Sequence, residues 1–92
     1  MQKIECCIPE SEVQLLLKAL MKTGIGGVTV YPVKGKMKKV EVVALDIEAN
    51  YVVGTILEVT HRRRSGDEQI AVFPIEKVIR IRTGEKGARA VL

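Results

Sequence analysis

Two arginines near the end of the chain have the spacing of an anion-binding pair. The segment Val78–Arg82 alternates aliphatic and basic residues, and this alternation predicts a short β-strand. A period of two sends Arg80 and Arg82 to one face of that strand and places Ile79 and Ile81 in the core. Two guanidinium groups about 7 Å apart hold one polyanion with forked hydrogen bonds, which lysine does not supply. A solvated or ion-paired sheet face is the alternative interpretation.

Three other segments carry residues that suit phosphate or another anion. They are a glycine-containing turn, a basic connection and an arginine loop, at Gly24–Gly27, Lys34–Lys39 and Arg62–Arg64 respectively. The glycine turn lacks the spacing of a P-loop or a GxGxxG motif, so it also fits a plain helix-to-strand turn. The arginine loop follows a predicted helix, where it also fits a solvated helix end. The lysines also fit an exposed hairpin that is protected against edge-to-edge pairing.

The sequence offers no evident catalytic or metal-binding constellation. His61 is the only histidine, and no Ser–His–acid or Cys–His set has a recognisable spacing. Cys6 and Cys7 are adjacent on a predicted strand, so their side chains point to opposite faces and do not readily share one metal ion. We therefore expect a protein that is not an enzyme, with no metal site and no obligatory cofactor.

Composition predicts one small domain with anionic partners. The chain has 92 residues, of which 47% are hydrophobic and 3% aromatic, and its net charge is +4. This length predicts a single domain over residues 1–92, and the positive charge favours phosphates, nucleic acid or a membrane surface. The few aromatic rings disfavour single-stranded nucleic acid. No apolar stretch resembles a secretory leader or a membrane span, so we expect a cytoplasmic protein with reduced thiols.

Hydrophobic periodicity predicts the elements that position these residues. The predicted strands are Lys3–Ile8, Val28–Tyr31, Val40–Leu45 and Gln69–Phe73, followed by the short strand already described. The first helix begins near Pro9 and buries Val13, Leu16, Leu17, Leu20 and Met21; the second is capped by Asp46 and buries Val52, Val53, Ile56, Leu57 and Thr60. The βαββαβ order predicts an α+β sandwich of the ferredoxin-like type.

The sequence resembles the PII signal-transduction family over nearly its whole length. The most specific match is Val72–Glu85, VFPIEKVIRIRTGE, which is close to the C-terminal signature of that family. Gly24–Gly35, GIGGVTVYPVKG, also matches, as do the first five residues and Gly66 with Asp67. The resemblance implies a ferredoxin-like subunit in a compact homotrimer, with an adenine nucleotide bound in each cleft between neighbouring subunits.

The resemblance also implies which residues hold the nucleotide. The backbone around Gly27, Val28 and Thr29 would meet the adenine. Two arginines would reach the phosphates, and at least one of them would do so across the subunit boundary. The expected nucleotide-binding residues are Gly27, Val28 and Thr29 at the adenine, Gly35 and Val43 at the cleft wall, Arg62, Gly66, Asp67, Glu68 and Gln69 at the phosphate-side loop, and Arg80 and Arg82 at the phosphates.

One departure from the family pattern concerns the connection between strands two and three. Family members usually insert a long flexible loop with a modifiable tyrosine there, whereas here strand three begins within a few residues of Gly35. This puts in doubt tyrosine modification, 2-oxoglutarate binding with magnesium-ATP, and docking into an ammonia channel. Tyr31 and Tyr51 fall in predicted regular structure, and we expect them to be packing residues.

A second departure concerns the phosphate-side loop. The Gly-Asp-Gly-Lys pattern of the family appears here as Gly66-Asp67-Glu68-Gln69. A carboxylate beside a triphosphate is unfavourable, although Arg62–Arg64 offer compensating charge just upstream. We therefore expect ADP, AMP or a cyclic nucleotide to be favoured over ATP.

Three functions fit the sequence. The first is a regulatory trimer that senses an adenine nucleotide and controls a protein partner, such as a membrane transporter or a protein of nitrogen or carbon metabolism, in settings where bicarbonate is a co-ligand. The second is a structural homotrimer with no nucleotide, similar to divalent-cation-tolerance proteins. The third, nucleic-acid binding through the basic segments, is disfavoured because no RNA-binding signature accompanies them.

Overall fold

The computed structural model describes residues 1–25, 27–60, 69–87 and 90. The regular elements are β1 (Gln2–Pro9), α1 (Glu10–Met21), β2 (Val28–Pro32), β3 (Met37–Ala44), α2 (Asp46–Thr60) and β4 (Ile70–Pro74). The four strands form one antiparallel sheet in the order β2-β3-β1-β4. In each half of the chain, two parallel strands joined through a helix therefore enclose a third strand between them. This is the predicted ferredoxin-like arrangement.

One face of the sheet is buried against the two helices. Alternate residues of β1 and β3 point to this face, so that Ile4 and Val42 are fully buried while their chain neighbours are partly exposed. Among the described residues, the buried core consists of Ile4, Cys6, Ile8, Val13, Leu16, Leu20, Val40, Val42, Ala44, Ala49, Val52 and Ile56. Burial of each large aliphatic side chain contributes about 1.5–3 kcal/mol. Cys6 is buried and Cys7 is only half-buried, which confirms that the two thiols lie on opposite faces.

The buried stripe of each helix is narrower than predicted. Met21 is 73% exposed and Leu57 is 51% exposed, so the prediction that they belong to the core is wrong. The fully covered positions are Val13, Leu16 and Leu20 in α1 and Ala49, Val52 and Ile56 in α2. A helix that rests on a sheet covers one narrow row of positions, and residues on the flanks of that row remain in contact with solvent. Within the part of the chain that the structure describes, no helix is long and apolar enough to cross a membrane.

The start of α2 also differs from the prediction. Glu48 Oε1, not the Asp46 side chain, accepts a 3.2 Å hydrogen bond from the Leu45 N–H. This arrangement is one half of a capping box, in which a glutamate in the first turn satisfies the backbone just before the helix. The Asp46 carboxylate instead lies 2.8 Å from the amino group of Met1. The helix therefore begins where predicted, but a different side chain caps it.

A tight turn of four residues, Val33–Lys36, connects β2 to β3. The Val33 N–H donates to Met37 O at 3.1 Å, and the Met37 N–H donates to Lys34 O at 3.2 Å. Gly35 has a φ of +64°, a conformation that favours glycine. The turn is also tied to α1, because the Glu10 N–H donates to Lys36 O at 2.8 Å. The predicted short connection is therefore confirmed, and β3 begins three residues before the predicted Val40.

The predicted strand Val78–Arg82 is wrong. This segment makes one isolated bridge, between Ile79 and Lys86, and then turns back on itself. Ile79 is 47% exposed and Ile81 is 99% exposed, so neither residue belongs to the core. An alternating sequence becomes a strand only where a neighbouring strand accepts its hydrogen bonds, and the Arg80 N–H bonds instead to Glu85 O at 2.8 Å. The two arginines therefore do not share one face of a strand.

Candidate functional site

A cavity of about 250 Å³ lies where the open face of the sheet meets the C-terminal segment. Its lining residues are Gly27, Thr29, Glu41, Val43, Val78, Arg80 and Ala90. Thr29 of β2 pairs directly with Glu41 of β3, and Val43 follows Glu41 by two residues. Because side chains alternate along a strand, these three residues share the face that the helices leave open. The C-terminal segment supplies the opposite wall.

Four of the predicted nucleotide-binding residues line this cavity, namely Gly27, Thr29, Val43 and Arg80. Three of them come from the sheet or the turn before it, and the fourth comes from the C-terminal segment of the same chain. The residues predicted to lie beside the adenine and the cleft wall (Gly27, Thr29 and Val43) and the arginine predicted to bind phosphate (Arg80) therefore line one cavity within a single chain.

Four other predicted residues that the structure describes lie elsewhere. Val28 packs against the core on the helix side of the sheet, and Gly35 lies in the β2–β3 turn. Gln69 is exposed just before β4, and Arg82 is exposed in the turn at residues 81–83. The prediction that Arg82 and Arg80 project side by side from a strand is wrong for the reason given above. The remaining predicted residues, Arg62, Gly66, Asp67 and Glu68, lie outside the described residues.

Sequence reasoning did not assign three lining residues to the site: Glu41, Val78 and Ala90. A signal for Glu41 was present, because it precedes Val43 by two residues and so had to share its face of the strand. Val78 and Ala90 gave no comparable signal. Their positions depend on the chain reversal between them, in which the Gly87 N–H donates to Val78 O at 3.0 Å.

A tyrosine on the same face holds the carboxylate of Glu41. The Tyr31 hydroxyl donates a 2.6 Å hydrogen bond to Glu41 Oε2. This bond and partial desolvation raise the pKa of Tyr31 to about 12, so the hydroxyl remains a donor at neutral pH. Tyr31 thus orients a group of the cavity wall. The prediction that Tyr51 is a packing residue is wrong, since its side chain on α2 is 64% exposed.

Lysines balance the negative charge on the open face. Glu5 of β1 lies directly opposite Glu41, an arrangement that is unfavourable for two like charges. Lys3 Nζ approaches Glu5 at 2.8 Å and Lys39 Nζ approaches it at 3.6 Å. The hydrogen bond from Lys3 is the main reason that the pKa of Glu5 is lowered from its ordinary value. Lys3 also lies 5.2 Å from the ring centre of Phe73.

The chain reversal that follows Arg80 fixes its position at the cavity. Its backbone carbonyl accepts a 2.8 Å hydrogen bond from the Gly84 N–H, and its side chain is half-buried. The guanidinium Nη2 donates to Ala90 O at 3.3 Å, so the end of the chain contacts the same group. A guanidinium carries a permanent charge and five N–H donors in a planar fork. This side chain therefore suits an anionic oxygen at the edge of the cavity.

Taken together, the lining residues suit a ligand with two chemically different ends. Arg80 offers a cation, Glu41 offers a hydrogen-bond acceptor, and Val43 and Val78 offer apolar surface between polar groups. Within residues 1–25, 27–60, 69–87 and 90, no group of three or more His, Cys, Asp or Glu residues is placed to hold a metal ion. The geometry favours binding of an amphipathic anion.

Comparison with known proteins gives the context of this site. No protein-family model matches the chain. The chain is 35% identical to the nitrogen regulatory protein P-II of Azospirillum brasilense, over 99% of this chain and 100% of that protein. The P-II protein of Rhizobium meliloti gives the same identity and coverage. A P-II homolog of Arabidopsis thaliana is 32% identical over 96% of this chain and 56% of that protein.

The lengths of these alignments agree with the tight β2–β3 turn. The alignment with the Azospirillum protein spans 112 positions, whereas this chain has 92 residues, so that protein has residues with no counterpart here. The β2–β3 connection, where the family resemblance leads one to expect a long loop, has four residues in this structure. With this level of identity over nearly its whole length, the chain belongs to the nitrogen regulatory protein P-II (PII) family.

Proposed function

We propose that this protein is a non-enzymatic regulator that binds an adenine nucleotide beside Arg80 and transmits its binding to a protein partner. The observation that carries the proposal is the convergence of Gly27, Thr29, Val43 and Arg80 around one cavity. The family resemblance independently implies that these four residues bind a nucleotide. They lie in three separate parts of the chain, and only the fold brings them together.

The charges around the cavity favour one orientation of the nucleotide. The guanidinium of Arg80 attracts phosphate oxygens and binds them with charge-assisted hydrogen bonds. The carboxylate of Glu41 repels phosphate but accepts hydrogen bonds from an amine or a hydroxyl. We therefore place the phosphates toward Arg80 and the base and ribose toward Glu41 and Thr29.

The size of the cavity favours a site that a second subunit completes. A volume of about 250 Å³ is slightly below the range of about 300–1,000 Å³ that is typical of small-molecule sites. A small domain also buries a modest share of its surface and gains stability by association. We propose a homotrimer, as the family resemblance implies, in which a neighbouring subunit supplies the missing wall of each cleft.

The residues near the phosphates favour a ligand with less charge than ATP. One arginine of the predicted pair lines the cavity, and Arg82 lies outside it in an exposed turn. The family glycine and lysine are replaced by Glu68 and Gln69. Each missing cation and each added carboxylate weakens the attraction for a triphosphate. We propose that AMP and ADP bind more tightly than ATP.

We propose that the regulated partner is a protein of nitrogen or carbon metabolism or a membrane transporter in contact with the cytoplasm. The PII relatives are nitrogen regulatory proteins by name. The β2–β3 turn is hydrogen-bonded and only four residues long, so we do not propose docking through an inserted loop. Contact with the partner must then use another surface.

One observation favours a second candidate function, that of a structural homotrimer without a nucleotide. The carbonyl oxygen of Ala90 already accepts a hydrogen bond from Arg80 Nη2 at 3.3 Å. Because one donor of the guanidinium is already used by a hydrogen bond within the chain, the side chain has a structural role that does not require a phosphate. The two functions make opposite predictions for ligand binding.

Thermal unfolding with added nucleotides distinguishes these functions. Wild type and Arg80→Ala are heated alone and with AMP, ADP, ATP or cyclic AMP, each with and without bicarbonate. A ligand at about 100 times its dissociation constant stabilises the folded state by about 2.7 kcal/mol. We expect AMP and ADP to raise the midpoint of wild type more than ATP does, and to raise that of Arg80→Ala by clearly less than that of wild type. If no nucleotide shifts the wild-type midpoint, the structural homotrimer is the better account.

A further inference from the structure

A second concavity lies on the helix side of the sheet, away from the proposed nucleotide cavity. It has a volume of about 410 Å³ and is lined by Lys22, Thr23, Ile47, Glu48 and Tyr51. We refer to these five residues as the helix-end groove. Lys22 and Thr23 follow α1 directly, and the other three belong to the first two turns of α2. The groove therefore lies where the end of one helix meets the start of the other.

Two large side chains in this groove are exposed without contributing to the core. Ile47 is 89% exposed and Tyr51 is 64% exposed. They are four residues apart on α2, so they lie on the same face of the helix. A large aliphatic residue beside an exposed tyrosine, with charged residues at the rim, is typical of a protein–protein contact. The core packing of α2 does not explain why either side chain is apolar.

The charged groups of the groove differ in their availability. Glu48 Oε1 already accepts the Leu45 N–H at 3.2 Å, and the Thr23 hydroxyl donates to Leu20 O at 2.6 Å. Lys22 and Lys18 are exposed, and neither takes part in an ion pair among the residues described. Glu48 keeps its negative charge, but Lys18 and Lys22 outnumber it, so the rim of the groove carries an excess of positive charge next to an apolar surface.

We propose that the helix-end groove docks a segment of a partner protein in which a large apolar side chain is followed or preceded by Asp or Glu. The apolar side chain packs between Ile47 and Tyr51, and the carboxylate meets Lys22. The high exposure of the lining side chains suits an extended protein segment better than an enclosed small ligand. This inference does not depend on nucleotide binding, because the groove and the cavity lie on opposite sides of the sheet.

The first experiment selects short random peptides displayed on phage against the immobilised full-length protein. We expect the enriched peptides to pair a large apolar residue with Asp or Glu. A synthetic peptide of the consensus sequence is then titrated by fluorescence anisotropy against Ile47→Glu and Lys22→Glu. Each change is expected to weaken binding by about tenfold or more, as for a central contact residue. Replacement of the peptide carboxylate by lysine should restore binding to Lys22→Glu.

Leu57→Glu is the matched control, because Leu57 is 51% exposed on the same helix and does not line the groove. We expect it to bind the peptide as wild type does, and circular dichroism confirms that all variants are folded. Absence of enrichment, or equal binding to Ile47→Glu and wild type, would overturn the proposal. A lower sedimentation mass of Ile47→Glu but not of Leu57→Glu would also overturn it, because a second copy of the chain would then occupy the groove.

Discussion

The hydroxyl of Tyr31 donates a 2.6 Å hydrogen bond to Glu41 Oε2, across two neighbouring strands and beside the candidate cavity. The register explains the contact, because Glu41 pairs with Thr29 and is therefore a diagonal neighbour of Tyr31 on the same face. A carboxylate held in this way is oriented before any ligand arrives. Preorganisation of this kind lowers the entropic cost of binding.

The Tyr31–Glu41 bond is expected to stabilise the fold in a pH-dependent manner. An ordinary tyrosine ionises at 10.0, and the pKa of Tyr31 is raised to about 12. The stabilisation is therefore complete below about pH 10 and is lost as the pH rises toward about 12, where the folded state also gives up the proton. Urea unfolding of wild type and Tyr31→Phe should show a stability difference that declines over this interval. A constant difference would contradict the assignment, and Tyr51→Phe controls for loss of a hydroxyl.

The ion pair between Lys3 and Glu5 is expected to stop stabilising the fold at acidic pH, where Glu5 becomes protonated. The 2.8 Å contact with Lys3 lowers the pKa of Glu5 below its ordinary value of 4.5. The stabilisation is present above that value and disappears as the pH falls through the lowered pKa of the folded state. Wild type should therefore be more stable than Glu5→Gln at neutral pH and lose this advantage in acid. Glu76→Gln, at an exposed position, is the control; if it shows the same acid dependence, the ion pair is not the cause.

The two arginines are expected to contribute unequally to nucleotide binding. Arg80 lines the cavity, whereas Arg82 lies in the exposed turn at residues 81–83. Hydrogen bonds to charged groups are worth about 1.5–3 kcal/mol, so Arg80→Ala should weaken the binding of ADP by about ten- to a hundredfold. Arg82→Ala should have a clearly smaller effect in the same calorimetric titration. If the two variants lose ADP affinity equally, Arg82 contributes as much to binding as Arg80 does. Arg82 of a neighbouring subunit would then reach the nucleotide.

Two glycines are expected to respond oppositely to replacement by alanine. Gly54 lies within α2 and an added Cβ would meet nothing within 4 Å, so Gly54→Ala should stabilise the protein by about 1 kcal/mol through helix propensity. Gly35 also has open space, but its φ of +64° strains any other residue. Gly35→Ala should therefore destabilise the protein by about 1–2 kcal/mol. Chemical denaturation at fixed protein concentration measures both changes, and a destabilised Gly54→Ala would contradict the first.

The sequence was sufficient to predict the sheet and the two helices, because those elements bury a regular pattern of aliphatic residues. The predicted buried stripes were too wide, since Met21 and Leu57 have the right spacing but lie on the exposed flanks of their helices. The prediction failed at Val78–Arg82, where Ile81 is 99% exposed. Periodicity within a segment does not reveal whether a neighbouring strand exists to receive it.

Strand register explains why some of the predicted site residues line the same cavity. Gly27, Thr29 and Val43 follow from the family resemblance and from strand register, and all three line the cavity. The same strand alternation places Glu41 on the cavity face, although the sequence analysis did not include Glu41 among the site residues. The position of Ala90 at the cavity depends on a chain reversal that backbone hydrogen bonds stabilise, and no side-chain pattern in the sequence predicts those bonds.

Nucleotide binding at the cavity can be tested directly by titrating the isotope-labelled protein with ADP and following the chemical shifts of its backbone amides. We expect the largest changes at Gly27, Thr29, Val43 and Arg80, which surround the cavity. The amides of Ile47 and Tyr51, on the opposite side of the sheet, should change little. Saturable changes at the cavity would support nucleotide binding there. Absence of saturable changes, or changes centred on the helices, would contradict it.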